Sequence, residues 1–417
     1  MTTVAPSASK SFAWRTPIII ALCACAISVL TFGPRSALGF FLSPLSQANG
    51  WGRDVFALSL ALQNLIWGLG QPFAGAIADK YGAPRVLSVG VILYALGLYV
   101  TSIATTPALS HLGAGVLIGL GLSGSAVPMV IGSLSKLLPE SWRYVAFGAV
   151  TAAGSFGQFL FSPIAVHLMG TYGWQETLTI FSLVLLLVIP LSMMLIVPSK
   201  PDGAGGASIS APPPQSLAQA LSEAFGHRSY VLLVLGFFTC GFQLAFVTAH
   251  LPSYLADRGL SAEIGGWTLA IIGLFNIIGS LGSGWLATFL PKRYILSVIY
   301  FTRALSIVAF IIVPASATAT LIFGAVTGLL WLSTVPPTSG LVAVMFGTRW
   351  LTMLFGFAFF SHQVGGFLGV WLGGIVFERT GSYDAVWWLS VLFGVLSAII
   401  NLPIVEKPVE RPVAVPA

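Results

Sequence analysis

Charge is what this sequence has least of. Only 7% of its 417 residues are charged, 18 lysines and arginines against 12 aspartates and glutamates. A soluble chain of this length could not cover its surface with so few. Cysteine is nearly missing as well. Cys23, Cys25 and Cys240 all lie within apolar runs, which excludes a disulfide framework or a CxxC pair. No Walker A lysine loop, HExxH or GxSxG occurs, so ATP or peptide hydrolysis has no recognisable machinery. Alternation of apolar and polar residues over about 10 positions is absent too, which argues against a membrane barrel.

What is there in excess is hydrophobic. Such residues make up 56% of the chain, and the mean hydropathy is +0.94. Apolar runs long enough to cross a hydrocarbon layer of about 30 Å recur throughout. They predict an all-α membrane protein with twelve spans near 15–43, 53–78, 85–105, 110–137, 143–168, 174–197, 229–254, 263–289, 293–314, 317–346, 350–376 and 384–404. "LCAC" at 22–25 resembles a lipoprotein cleavage site, but the apolar run continues past it into a full span.

Between the sixth and seventh spans lies "PSKPDGAGGASISAPPPQS", rich in Pro, Gly and Ser, which reads as a flexible linker. The expected organisation is a tail over 1–14, a six-helix bundle over 15–197, a linker over 198–228, a second bundle over 229–404 and a tail over 405–417. The net charge of +6 does not indicate nucleic acid, because the bases are scattered between spans. With both termini cytoplasmic, the inner segments hold Lys10, Arg15, Lys80, Arg85, Lys136, Arg143, Lys200, Arg228, Lys292, Arg293, Arg349, Lys407 and Arg411. The outer loops hold only Arg53, Arg258 and Arg379, so the positive-inside bias favours that orientation, in a bacterial inner membrane.

The halves repeat. "GAIADKYGAPR" after span 2 matches "GWLATFLPKR" after span 8, with Gly75 and Gly284 separated by 209. "SAVPMVIG" matches "STVPPTSG", Pro128 and Pro337 standing at the same offset, and Gly170 and Gly381 are 211 apart. Two pseudo-symmetric six-helix bundles with a site between them are how secondary transporters achieve alternating access. "GLGLSG" at 119–124 satisfies GxGxxG literally, but it follows no strand. Gly115 and Gly119 in GxxxG spacing point to close helix packing instead.

"GAIADKYGAPR" resembles the signature of the major facilitator superfamily, carried here by Gly75, Asp79, Lys80, Gly82 and Arg85. The resemblance implies a major facilitator fold across the whole chain and a charge latch that opens as the halves rock. The second copy has Thr288 where Asp79 stands, so no latch is expected there. Within the superfamily the chain is most similar to the bacterial monocarboxylate-porter-like branch, on "GWGRDVFALSLALQNLIWGLGQP", "RYVAFGAVTAAGSFGQF", "CGFQLAFVTAHLP" and "SHQVGGFLGVWLGG". It departs from the better-known monocarboxylate carriers on span 8, where they have Asp and Arg and this chain offers Asn276 and no charge.

All twelve acids fall at span ends or in loops, leaving Arg35, Arg303 and His362 inside the membrane without a carboxylate. An arginine at mid-bilayer costs at least about 2.5–3.5 kcal/mol on insertion scales. Arg35 lies about nine residues, or roughly 13 Å, from the outer end of span 1. Gly33 and Pro34 beside it can open the backbone. A guanidinium matches a carboxylate, so Arg35 is expected to bind an organic anion, against the alternatives of snorkelling or an inter-helix hydrogen bond. Arg303 is expected to touch substrate, to brace carbonyls or to help order the interface between the halves. His362 and Gln363 on span 11 offer a proton carrier or an anion donor, with a satisfied packing histidine the equal alternative.

Gln243 is placed to face Arg35 across the cavity, with His250 and Asn276 as polar companions. Trp331, Ser333 and Thr334 are candidates for the apolar and hydroxyl part of the pocket, with aromatic packing the favoured role for Trp331, while Gln63, Asn64 and Gln158 join helices. The chain thus reads as a secondary transporter of a mono- or dicarboxylate, by proton symport or anion exchange. It is not expected to be an enzyme, to carry a cofactor or metal, or to assemble beyond a monomer in the lipid. An exporter of neutral lipophilic compounds and a transporter-like sensor are the rival readings.

Overall fold

The computed structural model describes residues 16–138, 140–196, 216–347 and 350–409, and every regular element among them is a helix. Span 1 runs from Pro17 to Asn49, beyond its expected end. Pro34 cannot donate to the helix ladder, and after Ser36 the chain tightens into a 3-10 turn, Leu38–Phe41, before the helix Leu42–Asn49. Spans 2 and 3 are Arg53–Tyr81 and Ala83–Ser102. Span 4 is built of Pro107–Ser110, a π-turn His111–Leu117, Ile118–Ser125 and Val127–Leu137. Span 5 is Glu140–Tyr172, and span 6 joins Trp174–Leu185 to Val188–Met193.

The second bundle comprises span 7, Arg228–Asp257, span 8, Ala262–Leu286, and span 9, Lys292–Ile312. Span 10 is divided into Ala317–Leu330 and Val335–Phe346. Spans 11 and 12 are Leu351–Thr380 and Asp384–Asn401. Eleven of these are long and apolar enough to cross a membrane on composition alone. Span 2 is the exception, because Gln63, Asn64 and Gln71 interrupt its apolar residues.

The expected linker contains a short helix, Leu217–Gly226, started by a capping box between Ser216 and Gln219. Residues 198–215 of that linker lie outside the described residues, as do 1–14 and 410–417 of the tails and residues 15 and 197 at the ends of the first bundle. Residues 405–409 follow the second bundle, where Val405 N–H donates to Ser229 Oγ at 3.0 Å and Glu406 accepts from the Arg293 N–H at 2.7 Å.

The bundles meet along two seams, span 2 against span 11 and span 5 against span 8. Polar side chains stitch both. Gln158 Nε2 donates to Leu269 O at 3.1 Å, and Asn276 Nδ2 donates to Ser155 Oγ at 2.8 Å. Gln363 Nε2 reaches Asn64 O at 3.3 Å. Within the first bundle, the glycine pair of span 4 does what its spacing suggested. A Cβ on Gly115 or Gly119 would stand about 3 Å from span 2 atoms, namely Leu62 Cβ at 3.2 Å and Ile66 Cβ at 2.9 Å.

The face carrying the loops after spans 1, 7 and 11 is tied shut. Arg53 forms a forked pair with Asp257, at 2.5 and 2.7 Å, and also donates to Tyr383 Oη at 3.1 Å. Its backbone N–H donates to Glu378 Oε1 at 2.6 Å, and its guanidinium lies 4.1 Å from the Phe377 ring centroid. Arg53 thereby joins span 2 to the ends of spans 7 and 11, across both bundles. Burial pushes the Tyr383 hydroxyl up to about 12 even beside Arg53, so it stays neutral in this cluster. Ser43 Oγ and Ser253 Oγ, 2.8 Å apart, bridge spans 1 and 7 at the same face.

This closure is testable by cross-linking. In a protein with Cys23, Cys25 and Cys240 replaced by alanine, Ser43→Cys paired with Ser253→Cys should form a disulfide under mild oxidation. Adding Asp257→Asn should lower the yield severalfold. A failure to cross-link would show that the two spans stand apart at this face.

Candidate functional site

Arg35 is held on span 1 by its neighbours rather than by an acid. Gly33 lets the Phe161 ring press against the helix, since a Cβ there would stand 2.3 Å from Phe161 Cδ2. Arg35 Nη2 donates to Asn64 Oδ1 at 2.7 Å, and the guanidinium lies over the Trp67 ring, 4.7 Å from its centroid. Phe32 is 5.9 Å away on another side. The side chain is half-buried, and Asn64, a neutral amide, is its hydrogen-bond partner. Three buried atoms on and beside it lack partners: Arg35 Nε, Trp67 Nε1 and Tyr94 Oη. Two of these are donors on side chains that stack on each other. Such donors are costly to leave unmade in a low-dielectric interior.

The network continues into the second bundle. Asn64 Nδ2 donates to Leu60 O at 2.9 Å, which orients its oxygen toward Arg35. The Asn64 backbone oxygen takes Gln363 Nε2, and Gln363 Oε1 lies 3.1 Å from His362 Nδ1. The His362 ring is parallel to Phe359, at 5.7 Å and 8°, and Phe359 meets Trp67 edge-to-face at 5.4 Å. A guanidinium, an amide pair, a histidine and three aromatic rings therefore form one cluster across the seam between spans 1, 2 and 11.

Arg303 has the opposite fate. It is 1% exposed, and both terminal nitrogens are engaged inside the second bundle, while Nε, like that of Arg35, has no partner. Nη1 donates to Gln243 Oε1 at 3.1 Å, and Nη2 donates to Trp331 O at 2.9 Å and to Leu330 O. Those carbonyls end the first half of span 10, where the helix breaks before Val335. A cation at a helix C-terminus meets both the unpaired carbonyls and the negative end of the dipole. Asn276 completes the repair, its Oδ1 accepting from the Leu332 N–H at 2.9 Å. Arg303 braces carbonyls, one of the roles expected for it.

Gln243 does not face Arg35. Its amide is spent on Arg303 and on Ser390 O, at 2.8 Å, because the buried guanidinium in its own bundle needs an acceptor. Asn276 is likewise occupied, by Ser155, Ser280 and Leu332. Ser333 Oγ donates back to Leu329 O at 2.5 Å, and Trp331 is buried with its carbonyl on Arg303. His250 is 1% exposed with Nε2 on Val370 O at 2.8 Å. Arg35, His362 and Gln363 are brought together; Gln243, Asn276, Arg303, Trp331 and Ser333 form a separate scaffold around the span 10 break.

At the opposite face, Gly82 ends span 2 at φ +93, a conformation glycine adopts freely, and span 3 begins at once. Arg85 is exposed there, donating to Tyr81 O at 3.2 Å, and Gly75 lies near Met129 of span 4. The Asp79 and Lys80 side chains lie outside the described residues. Sequence reasoning missed the aromatic contribution of Trp67 and Phe359, and the Arg53 closure. The one available signal for the latter was that Arg53 stands against the charge bias, at a span end.

Two repeated six-helix bundles, stitched along their seams around a half-buried arginine and tied shut at one face, define a membrane transporter fold rather than an enzyme. The sequence places it more narrowly. The chain belongs to the Major Facilitator Superfamily, whose family model matches residues 24–370. It is 28% identical to the uncharacterized MFS-type transporter YcxA of Bacillus subtilis (strain 168), over 89% of this chain and 91% of that one. It is 26% identical to monocarboxylate transporter 11 of Mus musculus, covering 88% of this chain and 82% of that protein. A crystal structure of a D-xylose-proton symporter superposes with a TM-score of 0.73 at 16% identity, over 94% of this chain and 98% of that one.

The contrast between the arginines has a measurable consequence. Removing the Arg303 hydrogen bonds should cost about 2 kcal/mol or more. Arg303→Met should therefore lower the melting temperature of the detergent-solubilised protein by several degrees. Arg35→Gln, which removes an unbalanced charge, should leave it within about a degree. Equal shifts for both would overturn the division between scaffold and site.

Proposed function

We propose that this transporter moves a small organic anion with a single carboxylate, bound at Arg35 between the two bundles. One observation carries the reading: Arg35 is half-buried inside a span with Nε unpaired, stacked on Trp67, and bonded to an amide rather than an acid. An arriving carboxylate would offset the cost of the guanidinium and take up the idle donors. The other interior arginine has both terminal nitrogens engaged, by Gln243 and by backbone carbonyls, and is 1% exposed, which leaves one cation for the cargo and favours a mono- over a dicarboxylate. The name of the mouse relative, a monocarboxylate transporter, is in keeping with this.

Alternating access follows from the architecture. The Arg53 cluster is a closure that must break for the bundles to rock open at that face, and the Gly75–Arg85 loop is the corresponding element at the other. We place the termini and the Arg85 face in the cytoplasm of a plasma membrane, on the distribution of bases, so that Arg53 guards the outside. Asp and Glu stand in loops or near span ends, so coupling runs either through His362, which is joined to Arg35 by way of Gln363 and Asn64, or by anion exchange, which needs no protein proton.

Uptake by proteoliposomes tests both parts. Arg35→Gln should reduce carboxylate uptake at least about tenfold, as expected when a charge-assisted pair is lost. Normal uptake by that variant would remove the anion site. His362→Ala should flatten acid stimulation of uptake if the proton travels with it. An unchanged acid stimulation would remove His362 from the coupling, and no stimulation even in the parent protein would leave exchange.

A further inference from the structure

We infer that the anion carries a flat aromatic ring: the structure assigns an aromatic monocarboxylate to the Arg35 site. This rests on the carboxylate reading above and sharpens it. The surroundings of Arg35 are unusually poor in the groups that would suit a small hydroxylated aliphatic acid. Apart from the idle Arg35 Nε, Trp67 Nε1 and Tyr94 Oη, the polar atoms of the cluster are engaged with one another. Asn64 is held by Leu60, Arg35 and Gln363, and Gln363 by His362. The other side chains packed on and around the guanidinium are aromatic. Phe32, Trp67, Phe359 and His362 are each half-buried, with the guanidinium over Trp67 and within 5.9 Å of Phe32.

The planes are arranged in two sets. His362 and Phe359 are parallel to within 8°, whereas Trp67 stands at 73° to Phe359. A ring entering this cluster therefore meets aromatic edges and faces in both favoured orientations, stacked and edge-to-face. Its carboxylate would be directed to the guanidinium, held by a planar fork that fixes the plane of the anion. For a benzoate-like molecule that plane is also the plane of the ring, so orienting one orients the other. A saturated ring of the same size and charge has no such plane and no quadrupole to match. Phe237, buried at 5.1 Å from His362 between ring centroids, packs against this histidine and supports it.

The test is equilibrium binding by calorimetry to the purified full-length protein, using benzoate and cyclohexanecarboxylate. These share one charge and seven carbons but differ in planarity. Benzoate should bind about tenfold more tightly, the scale of one or two aromatic pairs. Phe359→Leu should collapse that ratio, and Phe359→Tyr, which keeps the ring, should preserve it and guards against a folding defect in the leucine variant. Equal affinity of the parent protein for both acids, or a preference that survives Phe359→Leu, would overturn the aromatic assignment while leaving the Arg35 anion site standing. Binding of neither acid by folded protein, together with no carboxylate uptake, would overturn both.

Discussion

The guanidinium group in a low-dielectric interior is the constraint around which this molecule is arranged. Two arginines stand inside the spans, and each must recover the hydration it gives up. Arg303 recovers it from the protein, by gathering the carbonyls that the break in span 10 leaves open. Arg35 is given only Asn64 and a ring face. The internal repeat makes the comparison close. At the offset of 209 that relates the halves, Arg303 corresponds to Tyr94, Gln243 to Pro34 and Asn276 to Trp67. In the first bundle the charge sits on span 1 with Tyr94 beside it; in the second it has moved to span 9 and turned inward. The duplication supplied two similar frames, and the position of one charge made one of them scaffold and the other, on our reading, a site.

The seams show how such a frame holds without locking. Between the bundles the polar contacts are single amide or hydroxyl hydrogen bonds, Gln158 to Leu269, Asn276 to Ser155 and Gln363 to Asn64. Each is worth little net in a membrane interior, where alternative partners exist. The Arg53 cluster is stronger, because a forked charge pair and a backbone bond to Glu378 converge on one residue. Strength is concentrated at a face, where water can re-solvate the ions when the pair opens, rather than in the core, where it could not.

Much of this was legible from residues alone. The run of membrane helices, the repeat, the close packing at Gly115 and Gly119, and the isolation of Arg35 from acids all follow from hydropathy, spacing and the scarcity of charge. The role of Gln243 did not. Its offset put it level with Arg35, but a side chain's direction depends on its own helix's rotation and on which partner is nearer, and Arg303 was nearer. The linker also held more order than its composition suggested, because the helix Leu217–Gly226 lies beyond the Pro-, Gly- and Ser-rich stretch and has its own cap.

By itself, then, the sequence determined that this chain crosses the membrane repeatedly, in two matching halves, with more interior cations than acids. Those are properties of local composition and of distance along one strand of text, and they survive any arrangement of the helices. Only the tertiary structure decided which cation is satisfied. That depends on which carbonyls, amides and rings arrive from other spans, across separations such as the 29 residues from Arg35 to Asn64 or the 60 from Gln243 to Arg303. Hydrogen bonds act over about 3 Å, and no spacing in a sequence specifies a distance that short between separate helices.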